Sequence, residues 1–142
     1  MTVTLLVYPV LAATPPHRWD EAHARHTRRI TPLVALVYLP LAAASATAAW
    51  RLVDTAISSP ASLADGPAAT LLTCGIVLAL LGAAGAAAAT AFGAAPTHGA
   101  LGRGYDPQLL ARLTRYDRWR CAAAVAGGAG AVLAACAAAF GG

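Results

Sequence analysis

The fold class predicted by this sequence is an all-α integral membrane protein, and three observations carry it. First, 58% of its 142 residues are hydrophobic and 11% are charged, whereas a water-soluble domain carries about a quarter of its residues charged to cover its surface. Second, the charges fall in clusters, and the apolar runs between them are long enough for helices to cross a hydrocarbon core of roughly 30 Å. Third, Thr14-Pro15, Thr31-Pro32 and Asp106-Pro107 are helix-start pairs: the side-chain oxygen accepts from the first turn, and the N–H that proline lacks is not needed there. The length fits a single membrane-embedded domain, 1–142, built as a four-helix bundle with spans at about 3–14, 32–50, 68–94 and 119–140.

Taken in order, Val3–Ala13 is the first apolar run, with Tyr8 and Pro9 inside it. Eleven helical residues cover about 16 Å, half a bilayer core, so the first helix is short or truncated. From Pro16 to Ile30 the chain turns polar. Trp19, His23, His26 and Ile30 follow the spacing of one helical face, with Glu21 and Arg25 paired on another, which predicts a short interfacial helix. Pro32–Trp50 contains no charge; Pro40 predicts a bend in it, and Trp50 a stop at the aromatic belt. Arg51–Pro67 reads as a polar connection with turn residues.

Ala68–Pro96 is the longest charge-free run, and Gly75, Gly82 and Gly85 give it the small-residue surface on which membrane helices pack closely. Thr97–Gly104 reads as a loop. Asp106-Pro107 opens a second short interfacial helix, with Leu109, Leu110, Leu113 and Tyr116 on one side and Arg112 and Arg115 on another. Trp119–Gly142 is the last span, and Gly127 and Gly130 again favour close packing.

All ten basic residues apart from the histidines are arginines. Nine of them lie in the first and third connections and only Arg51 in the second, so the positive-inside rule places those two connections in the cytoplasm and both termini outside, in the cell membrane. The formal charge of +4 is explained by this orientation rather than by a nucleic-acid partner. His17, His23, His26 and His98 share the cytoplasmic side. Cys74, Cys121 and Cys136 are an odd number without C-x-x-C spacing and read as small buried apolar residues. Met1 is followed by neither a basic n-region nor a cleavage motif, so no signal peptide is expected. No charge interrupts the middle of a span, which argues against a transporter. The Ala- and Gly-dominated spans bury few large side chains and leave room for a homo-oligomer.

The chemistry concentrates in Trp19–Pro32. His23-x-x-His26 places two imidazoles on one helical face, and His98 faces them from the other cytoplasmic connection. Together they have the composition of a transition-metal site, with Asp20, Asp106 or Asp117 as an oxygen donor; solvated interfacial histidines are the alternative. Arg120 begins an apolar run, either snorkelling to the headgroups or turning inward to hold an anion, an enolate or a carboxylate. Arg28 and Arg29 carry the same ambiguity, orientation being the competing role. Asp117, three residues before Arg120, is positioned for a simple ion pair.

At these residues the chain resembles the small bacterial four-helix membrane proteins related to the anthrone-oxygenase-like family. The matching stretches are V-Y-P at Val7–Pro9, H-A-R-H-T-R-R at His23–Arg29 and P-T-H-G-A-L-G-R-G-Y-D-P at Pro96–Pro107, followed by L-x-R-L at Leu110–Leu113 and by Arg120. The relatives have a full first helix before the V-Y-P element and often an Asn-Trp pair where this chain has Asp117-Arg118, so no role carries over for that pair. The resemblance implies site residues His23, His26, Arg29, His98 and Arg120, and oxygenation of a polycyclic aromatic ketone such as an anthrone.

Two functional readings follow. One is a membrane-embedded oxidoreductase or oxygenase acting on a hydrophobic, aromatic or polyketide-like substrate that enters from the bilayer. In it His23, His26 and His98 serve as acid–base groups or metal ligands, and Arg29 and Arg120 bind an oxyanion. The other is a non-catalytic accessory or scaffold protein in which the same residues anchor the helices at the interface. The enzyme reading requires the three imidazoles to converge.

Overall fold

A computed structural model describes residues 14–60 and 66–140, and every regular element among them is helical. A single turn at Pro16–Arg18 leads into α1, Trp19–Ser58. Next come α2, Gly66–Ala88, a π-helical turn at Ala89–Ala94, and α3, Ala95–Leu101, which together form one uninterrupted helical run. A turn at 102–106 precedes α4, Pro107–Phe140. Three helices, rather than four, are long and apolar enough to cross a membrane among the described residues: Trp19–Ser58, Gly66–Leu101 and Pro107–Phe140. The fourth expected span, 3–14, falls outside the described residues except for Thr14.

The expected punctuation within these helices is absent. Neither Thr31-Pro32 nor Pro40 breaks α1, so the interfacial helix and the span after it are one 40-residue helix. Thr31 does not cap a new helix; its hydroxyl donates to the Thr27 carbonyl at 2.8 Å, the back-bond of a residue within a continuing helix. Apolar surroundings favour keeping every other backbone bond of the helix, and interior proline is tolerated on those terms. The helix does not stop at Trp50 either: Arg51 and Asp54 lie within it. Its first turn carries Asp20 and Glu21, whose charges oppose the positive end of the helix dipole, and Glu21 pairs with Arg25 one turn on.

Asp106 caps α4 as expected, its Oδ1 accepting from the Gln108 and Leu109 amides at 2.7 and 3.3 Å. Yet the helix it opens is not short. No proline follows Pro107, so the expected interfacial segment and the final span form one 34-residue helix.

The described residues divide into two compact units, 14–38 with 86–122, and 39–60 and 66–85 with 123–140. In the first, Trp19, Ala94, Leu101, Leu110 and Leu113 form the core, with Leu109 and Tyr116 packed against it. The leucine face assigned from sequence to the headgroup boundary is therefore covered by protein. Trp19 and Leu113 are each 1% exposed, and the Trp19 indole donates to the Leu101 carbonyl at 2.9 Å. That bond adds to the one the Leu101 carbonyl accepts from the Gly104 amide at 3.3 Å, at the end of α3 where carbonyls have no partner within the helix.

In the second unit, glycines set the approach of α2 and α4. A Cβ on Gly130 would lie 2.6 Å from the Ala79 amide nitrogen and 2.7 Å from the Gly75 carbonyl oxygen, so only hydrogen fits. Gly130→Val is expected to lower stability by roughly 1–3 kcal/mol through overpacking, read as earlier thermal unfolding in lipid nanodiscs. Gly128→Ala, where nothing lies within 4 Å, is the neutral comparison. Large apolar side chains of this unit face outward, among them Leu81 at 66% and Val125 at 73% exposure. Cys74 and Cys136 are exposed as well, not buried as expected; a thiol is apolar enough for a lipid-facing position.

Candidate active site

The first unit brings together three of the five residues singled out by sequence around one cavity and leaves two aside. The face Trp19, His23, Ile30 forms on α1 as its spacing requires, with Trp19 and His23 buried. Their rings stack at 5.7 Å, and the edge of Tyr105 closes on the indole at 5.1 Å. His98 comes from α3, a helix and not the expected loop. Pro96 sits at the start of α3 without interrupting the helical run, which continues to Leu101. The π-helical turn just before it adds one residue to the turn, which rotates all that follows by a residue step of about 100°. That step sets the direction in which His98 leaves the helix. Gly93, inside the π turn, makes room for Tyr116: a Cβ there would lie 2.6 Å from the ring's Cγ and Cε1.

His23 Nε2 and His98 Nδ1 are 3.1 Å apart, a hydrogen bond between rings from two different helices. One nitrogen must donate and the other accept, so at least one of the two rings is neutral at the shared edge. His26 takes a different position. Its ring stacks on His98 at 5.7 Å with 18° between planes, and its Nε2 is buried without a hydrogen-bond partner. The Thr27 hydroxyl is likewise buried and unpartnered.

The three imidazoles converge, but not as a ligand set. Nitrogen lone pairs lie in the ring plane, so His26, stacked face to face on His98, cannot aim at an ion held between His98 and His23. Among the described residues no three His, Cys, Asp or Glu side chains are grouped to hold a metal ion. Asp106 is committed to its helix cap, and Asp117 is paired with Arg120.

A cavity of about 420 Å³ opens beside the pair, lined by His23 and His98, by Ile30, Val34, Ala94 and Ala95, by Thr27, Thr31 and Thr90, and by Arg120. Its size falls within the range of small-molecule sites, and its walls have the usual make-up of apolar surface with a few polar groups. The Thr90 hydroxyl donates to the Ala86 carbonyl at 2.8 Å and so accepts from Tyr38, 3.0 Å away, which ties α1 to the π turn behind the wall. Arg29, by contrast, is exposed and does not line the cavity.

Arg120 is bound through Nη2 to Asp117 Oδ1, an ion pair within one helix in which the Asp117 side chain is 1% exposed and the arginine 23%. A carboxylate so buried needs a cation beside it, and the pair fixes where the guanidinium sits. The sequence offered the three-residue spacing for this contact and, from Arg120 beginning an apolar run, left snorkelling and an inward turn as alternatives; here the residue lines the cavity. Trp19 was legible as a member of the histidine face, but not as the donor to Leu101.

The class defined by these features is a helical protein with, among the described residues, three helices long and apolar enough to cross a membrane and an apolar cavity headed by an imidazole pair and an ion-paired arginine. Comparison with family profiles, curated proteins and solved structures returns no match.

Proposed function

We propose that the chain is a small multi-pass membrane enzyme, oxygenase-like, acting on a hydrophobic aromatic or polyketide-like substrate at the cytoplasmic membrane face. In this reading residues 3–14 supply a fourth span, both termini lie outside, and the substrate reaches the cavity from the lipid bilayer. The observation that carries it is the His23–His98 hydrogen bond at the wall of an otherwise apolar cavity that also admits Arg120. A ring nitrogen with a neutral partner can take a proton from a substrate carbon or hydroxyl and pass its charge to that partner. A guanidinium beside it stabilises the oxyanion left behind. The resemblance of His23–Arg29 and Pro96–Pro107 to the anthrone-oxygenase-like group supports the same chemistry and the same substrate class. His26, stacked on His98, acts in this scheme as a neighbour that orients the pair.

The test is turnover of anthrone by purified protein in nanodiscs. One anthrone and one O2 give one anthraquinone and one water, so oxygen uptake and quinone formation are measured together and must match. Activity above empty nanodiscs that falls in His23→Ala and stays in His17→Ala is the expected result. A rate equal to that of empty discs would remove the oxygenase reading for this substrate class.

A further inference from the structure

We infer that Asp117 is a specificity-determining residue: by balancing the charge of Arg120 it sets the cavity to select a neutral, hydrogen-bond-accepting molecule over an anion of the same shape. The inference rests on the reading of the cavity as the substrate site, but not on the reaction carried out there.

Three observations lead to it. Among the described residues Arg120 is the only arginine or lysine that lines the cavity, and its Nη2 is held by a carboxylate with 1% exposure. The guanidinium thus enters the cavity as half of a neutral pair, with donors left over from the five N–H groups it carries. Opposite it, the hydrogen bond between His23 and His98 requires an unprotonated nitrogen at their shared edge. The remaining walls are aliphatic, glycine or threonine. The other arginines of this unit, Arg18, Arg25, Arg28, Arg29, Arg103, Arg112, Arg115 and Arg118, are exposed, where water and salt screen them.

A carboxylate entering this cavity would leave its hydration shell for an apolar wall and would meet the Asp117 charge together with that of Arg120. Attraction and repulsion largely cancel, and the desolvation cost remains. A ketone loses much less hydration and still accepts a hydrogen bond from the guanidinium. The sequence fits this role, since Asp117 lies one turn before Arg120 on the same helix and reaches it without any other element moving.

The experiment compares two nearly isosteric probes, 2-acetylnaphthalene and 2-naphthoate, by equilibrium dialysis against protein in phosphatidylcholine nanodiscs. Empty discs give the lipid partition to be subtracted. Wild type is expected to prefer the ketone by roughly tenfold or more, the size of one charge-assisted contact. Asp117→Asn, which keeps the shape and removes the charge, is expected to shift the ratio by a similar factor toward the naphthoate. The double variant Asp117→Asn with Arg120→Gln, neutral again, is expected to return to ketone preference, and it keeps the test valid if the single variant does not fold. A wild-type protein that prefers the naphthoate overturns the inference, as does a ratio unmoved by Asp117→Asn. Saturable binding of neither probe overturns both the inference and the cavity reading, whereas binding without the shift overturns the inference alone.

Discussion

Replacing Trp19 with alanine is expected to destabilise the first unit by roughly 3–5 kcal/mol, the cost of emptying a large aromatic site in a packed core. The indole is 1% exposed and, besides the edge contact with Tyr105, touches the structure in three ways. It fills the space among Ala94, Leu101, Leu110 and Leu113, donates to the Leu101 carbonyl at 2.9 Å, and stacks on His23 at 5.7 Å. Trp19→Phe separates these terms. It keeps most of the packing and loses the indole's bond to Leu101, whose carbonyl still accepts from the Gly104 amide at 3.3 Å, so a smaller loss of about 0.5–1.5 kcal/mol is expected, the net worth of one hydrogen bond. Thermal unfolding in nanodiscs, followed by circular dichroism, reads both. Because the stack positions His23, Trp19→Ala is also expected to disturb the imidazole pair before the helices themselves melt.

His98→Ala is expected to lower substrate turnover by roughly 10²- to 10⁴-fold, the usual contribution of a positioned acid–base group, while leaving the fold in place. His98 hydrogen-bonds to His23, stacks on His26 and lines the cavity, so its removal takes away the partner through which a proton would pass. His26→Ala should cost less, because His26 contacts the pair through its ring face and does not line the cavity. Quinone formation from anthrone under identical lipid and protein concentrations measures both variants. Equal losses in the two would place the essential nitrogen on His26.

Much of this architecture can be read from composition and periodicity, because apolar length and helical spacing are local properties. The small-residue contact between α2 and α4 follows from Gly75 and Gly130, and the face carrying Trp19 and His23 follows from their four-residue spacing. Helix ends were harder to place. Pro32 read as the start of a new element and Pro40 as a bend because proline removes a donor, but in these long apolar helices the continuing backbone bonds outweigh the one that is lost. The leucines at 109, 110 and 113 were legible as a face, and the sequence could not show what the face meets. Trp19 and Leu101 meet it, from sequence positions about ninety and ten residues away. The same limit applies at the site. The two histidines at 23 and 98 stand out by residue type, whereas their hydrogen bond depends on a π-helical turn whose Ala-Thr-Ala-Phe-Gly-Ala sequence carries no signature of that geometry. Arg120 stood apart from Arg29 in sequence because it begins an apolar run, but the sequence could not show that Arg29 is exposed while Arg120 lines the cavity.

The imidazole pair is the centre of this account, and nitrogen-detected NMR of protein with 15N-labelled histidine, in nanodiscs at neutral pH, tests it most directly. A coupling across the hydrogen bond between His23 Nε2 and His98 Nδ1 is predicted. It should disappear in either alanine variant, and also on acidification, since protonating both rings leaves two donors facing each other. Rings that titrate independently, with no coupling between them, would contradict it.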